Sequence, residues 1–318
     1  MRVAQGAVQD AYDRLADVYD EVFCKRTLGE AMRADVWQIA DHAFGSARRL
    51  LDLGAGTGED AIHFARRGIH VTAVDNASRM IDRLRAKAIA CGVSSQIDSV
   101  VAEMNRYIPA GGNFDSLISN FSAINCVDEL MWLRDTAERG LLPGSRLVLT
   151  GMGAFYPLET VIFIMKGRLR RAFLRFKDPC EGTIEGIPVR MYHHSPRAIR
   201  KMLGPHFQLE RLVGLRAWLP VAGWEHLQRL RIFRLITPID RTWCRWRITA
   251  TFADQFVSSV AVSAYSSGRA RGLRDRTMKT PVTTRTTPIN CAGEGCSPSS
   301  SHPASRAMIG VTFENTAV

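Results

Sequence analysis

The stretch Leu50–Asp75, LLDLGAGTGEDAIHFARRGIHVTAVD, decides the fold. Leu50 to Leu53 is a short apolar run, the pattern of a strand buried on both faces of a parallel sheet. Gly54, Gly56 and Gly58 make a turn after it. Ala61, Ile62, Phe64 and Ala65 then fall at helical spacing, and a second apolar strand, Ile69 to Val74, ends in Asp75. Strand, glycine turn, helix, strand and terminal carboxylate together make a nucleoside site at the edge of a parallel sheet. Alternate glycines let a ligand approach the backbone because no Cβ intrudes. Asp75 can accept hydrogen bonds from both hydroxyls of a ribose, and Asp52 can bind a ligand ammonium or orient the loop. A tight turn without a ligand is the alternative, and the matching strands and acid weigh against it.

The spacing separates two kinds of nucleoside. Dinucleotide sites read G-x-G-x-x-G, with the third glycine opening a helix whose dipole favours pyrophosphate. Here the pattern is G-x-G-x-G, and Glu59 stands in the third place. A carboxylate there repels a diphosphate but suits a ligand ending in an ammonium. LLDLGAGTG and Val71–Ile81, VTAVDNASRMI, resemble the first two motifs of the class I S-adenosylmethionine-dependent methyltransferases. Val100–Met104, VVAEM, resembles the third-strand motif, although the family often has Gly-Asp where Ala102-Glu103 stand here. Phe114–Asn120 and Leu141–Thr150 resemble the fourth and fifth strands.

The resemblance implies S-adenosylmethionine as cofactor. It implies an α/β, Rossmann-like, seven-stranded mostly parallel sheet with helices on both faces and an antiparallel last strand. His206–Val213 fits the sixth strand and Gln255–Val262 the seventh. It assigns cofactor contacts to Tyr19, Asp52, Gly54, Ala55, Gly56 and Gly58, to Asp75, Asn76 and Met80, and to Glu103, Met104 and Asn120. No metal is implied.

Around this core the chain divides into four parts. Residues 1–46 carry a helical lid: Val8, Tyr12, Leu15, Tyr19 and Phe23 share one stripe, with a second helix from Glu30 to Ala43. Residues 47–154 are the cofactor core. Residues 155–262 hold two cap insertions and the last two strands. The first insertion contains ETVIFIMKGRLRRAFLRF, which reads as a basic amphipathic helix, and the second contains HLQRLRIFRLI and RTWCRWRI; both are expected to close over the substrate mouth. Residues 263–318 are rich in Ser, Thr, Pro, Arg and Gly, lack apolar periodicity, and read as a disordered tail.

Methyl transfer from a sulfonium needs alignment and exclusion of water more than a dedicated base. Asn120, at the end of the fourth strand, and His193 and His194, after an expected strand, are the catalytic candidates; His226 and Asp128 are weaker ones. The usual base-methylating pattern at the fourth strand continues with Pro-Pro and an aromatic; Phe121-Ser122-Ala123 stands here instead.

The formal net charge of +11 is unevenly placed. Residues 1–150 carry 17 Lys and Arg against 20 Asp and Glu, whereas residues 151–262 carry 18 against 8. An anionic substrate, an anionic membrane surface and a solvated arginine-rich face all fit that excess. No nucleic-acid recognition motif is visible. Seven scattered cysteines suggest reduced thiols, and no apolar run is long enough to span a bilayer. The expectation is a cytoplasmic enzyme of a small-molecule acceptor, lipophilic or anionic, with peripheral membrane contact through the basic insertions. A nucleic-acid or protein methyltransferase and a silent cofactor-binding module are the alternatives.

Overall fold

The computed structural model describes residues 6–24, 27–109, 113–177, 179–184, 186–219 and 231–263. In chain order the elements are α1 (Ala7–Leu15), α2 (Thr27–Phe44), β1 (Arg49–Leu53), α3 (Glu59–Ala65), β2 (His70–Asp75), α4 (Ser78–Ala90), β3 (Ile97–Val101) and β4 (Phe114–Ser119). Then come α5 (Met131–Gly140), β5 (Leu141–Met152), α6 (Pro157–Met165), α7 (Leu169–Ala172), β6 (Cys180–Ile184), β7 (Ile187–Met191) and α8 (Pro196–Leu203). The last are β8 (Phe207–Leu215), α9 (Arg231–Trp243), α10 (Arg247–Ala250) and β9 (Gln255–Val262).

Seven strands form one sheet in the order β3-β2-β1-β4-β5-β9-β8. The β1–β2, β1–β4, β2–β3 and β4–β5 pairs are parallel. β9 runs antiparallel to both β5 and β8. The sheet order reverses direction between β1 and β4, and both of those strands end at the cleft this creates, the usual ligand position in such sheets. Leu50, Leu51 and Leu53 of β1 are fully buried, as a central strand covered on both faces requires. Val36, Ala40 and Phe44 of α2 share a core with Phe64 and Ala65 of α3 and with Ile118, Val148 and Val257 of the sheet. Truncating buried Phe64 to Ala should cost about 3–5 kcal/mol.

Two expectations change. The single N-terminal helix over residues 7–23 stops at Leu15, and a separate π-helical turn covers Asp20–Cys24. Tertiary contact outweighs helix continuity there: Asp20 accepts from Lys87 Nζ at 2.8 Å, 67 residues away. The basic helix of the first insertion is broken into α6, α7 and a 3-10 turn at Leu174–Phe176, because Gly167 takes φ +68 between the first two. The rest of that insertion is a two-stranded hairpin, β6–β7, packed on α1 through Ile184, Val189, Ala11 and Leu15. The expected tail from 264 onward and the candidate His226 lie outside the described residues. No helix among the described residues is long and apolar enough to cross a membrane.

Candidate active site

The glycine turn uses its glycines for different purposes. All three have positive φ: +77 at Gly54, +54 at Gly56 and +82 at Gly58. A Cβ on Gly58 would lie 2.4 Å from Leu84 Cγ of α4, so Gly58 sets how closely α3 approaches α4. A Cβ on Gly56 would meet nothing within 4 Å, because Gly56 faces an open cavity of about 390 Å³. That volume is within the range of small-ligand sites.

Asp75 closes one side of this cavity. Its Oδ2 accepts from Gly56 N at 2.8 Å and its Oδ1 from Ala77 N at 2.9 Å. Burial pushes its carboxyl above the ordinary range, and the two backbone donors work against that rise. The β2 terminus and the glycine turn are thereby locked together, with the carboxylate at the cavity wall. Tyr19, Gly54, Ala55 and Gly56 line this end together with Asp75, Asn76 and Met80; Glu103 and Met104 extend it beyond β3. Glu103 is ion-paired with Arg106 at 3.0 Å.

Asp52 and Gly58 do not line the cavity. Asp52 is buried beneath the turn with no hydrogen-bond partner for Oδ2. Its carboxyl is raised well above the ordinary value, by burial first and the Asp60 charge second, against Arg33. A buried network beside it was not foreseen from sequence. Asp60 accepts from Arg33 Nη1 at 2.9 Å, from Trp37 Nε1 at 2.6 Å and from Asn120 Nδ2 at 3.1 Å. Asn120 Oδ1 accepts from Phe121 N at 2.7 Å and Thr150 Oγ1 at 3.2 Å. Asn120 thus lines the cavity, but its amide is committed to holding β4, β5 and α3 in register rather than to proton transfer. The following loop is strained: Phe121 and Ser122 take φ +48 and +62, and the Arg33 guanidinium sits 4.2 Å over the Phe121 ring. Non-glycine residues in that region cost roughly 1–3 kcal/mol each and cluster at functional sites.

The opposite end is largely apolar and aromatic, formed by Val8, Tyr12, Phe121, Cys126, Val127 and Tyr192. Burial, followed by the Asp75 charge, pushes the Cys126 thiol up to about 12, with the Tyr12 hydrogen bond opposing. Burial likewise raises the Tyr12 hydroxyl well above its ordinary value. Both are neutral at neutral pH. Arg190 and Asp128 add polar groups at the rim.

His193 and His194 are not among the lining residues. Side chains alternate across an extended chain. Arg190 and Tyr192 therefore share the cavity side, while Met191 and His193 are buried on the other. His194 Nε2 lies 2.8 Å from the Val127 carbonyl and braces the rim from behind. Counting by two from Arg190 along VRMYHH would have pointed to Tyr192. The two insertions also divide differently from expectation. The hairpin meets the cavity, but no described residue of α6, α7, α9 or α10 lines it. α6 is tied instead to buried Arg175, which pairs with Asp254 at 2.7 Å and with Glu159, while α9 holds the chain after β8 through Asp240, which accepts from Ala217 N at 3.0 Å, and α10 packs on β8.

The residues fit an adenosyl ligand with a cationic amino-acid end. Asp75 offers a carboxylate beside a backbone that Gly56 leaves uncovered. Glu59 and Asp60 occupy the first turn of α3, which disfavours a diphosphate.

Residues 50–144 match a family described as methyltransferase domain. The ubiquinone/menaquinone biosynthesis C-methyltransferase UbiE of Geotalea daltonii is 28% identical over 148 residues, covering 45% of this chain and 61% of that protein. The tRNA 5-carboxymethoxyuridine methyltransferase of Escherichia coli K12 is 32% identical over 93 residues, covering 28% of this chain and 36% of that protein. The chain thus spans less than two thirds of the length of either curated relative. The CcbJ methyltransferase of Streptomyces caelestis shares the fold, with TM-score 0.53 and 19% identity over 80% of this chain and 98% of that one. With the 3-2-1-4-5 sheet carrying an antiparallel β9, the glycine turn and the acid ending β2, the chain has the fold of the class I methyltransferases, whose methyl donor is S-adenosylmethionine, and its residues 50–144 match their methyltransferase domain.

Proposed function

We propose that this protein transfers a methyl group from S-adenosylmethionine to a small, lipophilic acceptor. One observation carries the reading: a single cavity has Asp75 and the bare Gly56 backbone at one end and Tyr12, Phe121, Cys126, Val127 and Tyr192 at the other. When bound, the cofactor supplies an electrophilic methyl group. Asp75 holds the ribose hydroxyls, and Glu103 and Met104 flank the adenine. The Asn120–Asp60–Arg33 network fixes the strained Phe121–Ser122 loop against which the acceptor rests. The aromatic walls exclude water and align the acceptor for in-line displacement.

An anionic acceptor is less well served. Arg33 is engaged by Asp60 and Arg106 by Glu103, and Arg190 lies 3.7 Å from Glu181. Among the described residues no histidine lines the cavity, so a hydroxyl acceptor would have to be acidic enough to lose its own proton or use Asp128 at the rim. The quinone-type acceptor named for the Geotalea relative has the apolar character this end requires. Incubation of the protein with labelled S-adenosylmethionine and host extract should place label in the organic-soluble, low-mass fraction. Label in tRNA or in protein would overturn the assignment.

A further inference from the structure

Away from the cavity, the two insertions expose an unusual density of large apolar side chains. Met165 is 81% exposed, Leu169 58% and Phe173 50% on the first; Trp246 is 64% and Ile248 75% exposed on the second. Ring contacts join the two sides. Phe173 meets Phe176 with centroids 6.0 Å apart, Phe176 meets Phe155 at 5.4 Å, and Phe155 meets Phe252 at 5.9 Å. The buried Arg175–Asp254 pair fixes them beneath. Exposed apolar side chains at this density, on two segments joined by ring contacts, mark an interaction surface.

Its charge identifies the partner. The described residues of 155–177 and 239–252 include only two acids, Glu159 and Asp240. Both point inward: Glu159 pairs with Arg175, and Asp240 accepts from Ala217 N at 3.0 Å and Trp218 N at 2.7 Å. Arg168, Arg170, Lys177, Arg245 and Arg247 are exposed among the apolar residues. A second copy of this chain would bring those cations face to face. Bases of a nucleic acid would stack on the aromatic rings but gain little from Met165, Leu169 and Ile248. An anionic bilayer answers both features, with apolar side chains at the headgroup–acyl boundary and arginines on headgroup phosphates.

We infer that this face docks the protein on an anionic lipid bilayer surface. The inference rests on the insertions and not on the methyl-transfer reading, so S-adenosylhomocysteine affinity, measured in parallel, reports on that reading separately. The test is flotation of the full chain with phosphatidylcholine vesicles and with vesicles containing phosphatidylglycerol. Retention is expected on the anionic vesicles only, and release at 1 M salt, where the screening length shrinks to about 3 Å. Arg245→Ala with Arg247→Ala should weaken retention by about 25-fold, roughly fivefold per basic residue at the surface. Met165→Ser with Leu169→Ser, and separately Trp246→Ser with Ile248→Ser, should abolish it while leaving S-adenosylhomocysteine affinity unchanged. Two pairs on two segments guard against local unfolding of either. Equal retention on neutral and anionic vesicles would overturn the inference. So would wild-type retention in all these variants, a dimer that these variants dissolve, or binding to RNA with no binding to vesicles.

Discussion

Gly56 and Gly58 lie two residues apart in one turn with similar backbone strain, yet the structure assigns them opposite sensitivities. Alanine at either must adopt the left-handed region, at roughly 1–2 kcal/mol. At Gly58, φ +82, the new methyl would also stand 2.4 Å from Leu84 Cγ and 2.8 Å from Leu84 Cδ1. Leu84 is itself 1% exposed and cannot swing into solvent. Overpacking of this kind adds about 1–3 kcal/mol, so Gly58→Ala should lose about 2–5 kcal/mol in all, a large share of the usual 5–15. At roughly 2–4 °C per kcal/mol for a domain of this size, the melting temperature should fall by about 4–20 °C. Gly56→Ala meets no protein atom within 4 Å and should lose only the backbone term. Its methyl instead enters the cavity beside Asp75, where the donor's ribose would lie. Affinity for S-adenosylhomocysteine should fall at least about tenfold, equivalent to 1.4 kcal/mol. Thermal melts and calorimetry on both variants separate the two effects. Gly58→Ala melting with wild type, or Gly56→Ala binding as tightly as wild type, would refute the division of labour.

Three other perturbations follow from the same geometry. Asp75→Ala removes hydrogen bonds to a charged group, each worth about 1.5–3 kcal/mol, so calorimetry should show S-adenosylhomocysteine affinity down by about a hundredfold or more. Asp52→Asn tests the buried carboxyl: its folded pKa is raised, so the folded state holds a proton that the unfolded chain releases above about 4. Stability therefore declines as pH rises from there toward the folded value, and the variant's melting temperature should gain on wild type as pH increases; a constant difference would contradict this. Arg175→Met leaves Glu159 and Asp254 buried without their cation and should cost about 3–5 kcal/mol in denaturant unfolding, whereas a loss below 1 would show the pair to be solvated.

The sheet core was legible because its signals are local. An apolar run, a glycine turn and an acid at the next strand end fall within Leu50–Asp75, and the strand over Gln255–Val262 was read to the residue. What was not legible depends on contacts between distant residues. The N-terminal helix breaks before Tyr19 because Asp20 finds Lys87 and Thr57, 67 and 37 residues away. Asn120 has a suitable chemistry and position for catalysis. Only the partners Asp60 and Thr150, 60 and 30 residues away in sequence, reveal that its amide is occupied. His193 and His194 lie off the cavity lining while Tyr192 is on it, a consequence of alternation along the extended chain.

The acceptor end of the cavity comes only partly from the matched segment, which supplies Phe121, Cys126 and Val127, and this bears on what the relatives can teach. Gly54, Gly56, Asp75, Glu103 and Met104 all lie within the matched residues 50–144. Val8, Tyr12, Arg190 and Tyr192 lie outside them, on α1 and at the end of the β6–β7 hairpin. These two elements share a small core, with Ala11 and Leu15 against Ile184 and Val189, and Ala77 and Met80 beside Asp75 belong to it as well. Tyr12 and Tyr192 themselves face the acceptor end. It follows that substitutions at Tyr12 and Tyr192 should alter the acceptor's KM while leaving S-adenosylhomocysteine affinity within about twofold, a difference under 0.5 kcal/mol. A parallel loss of both would mean that the two ends are one rigid unit, and that acceptor choice cannot be separated from donor binding in this fold.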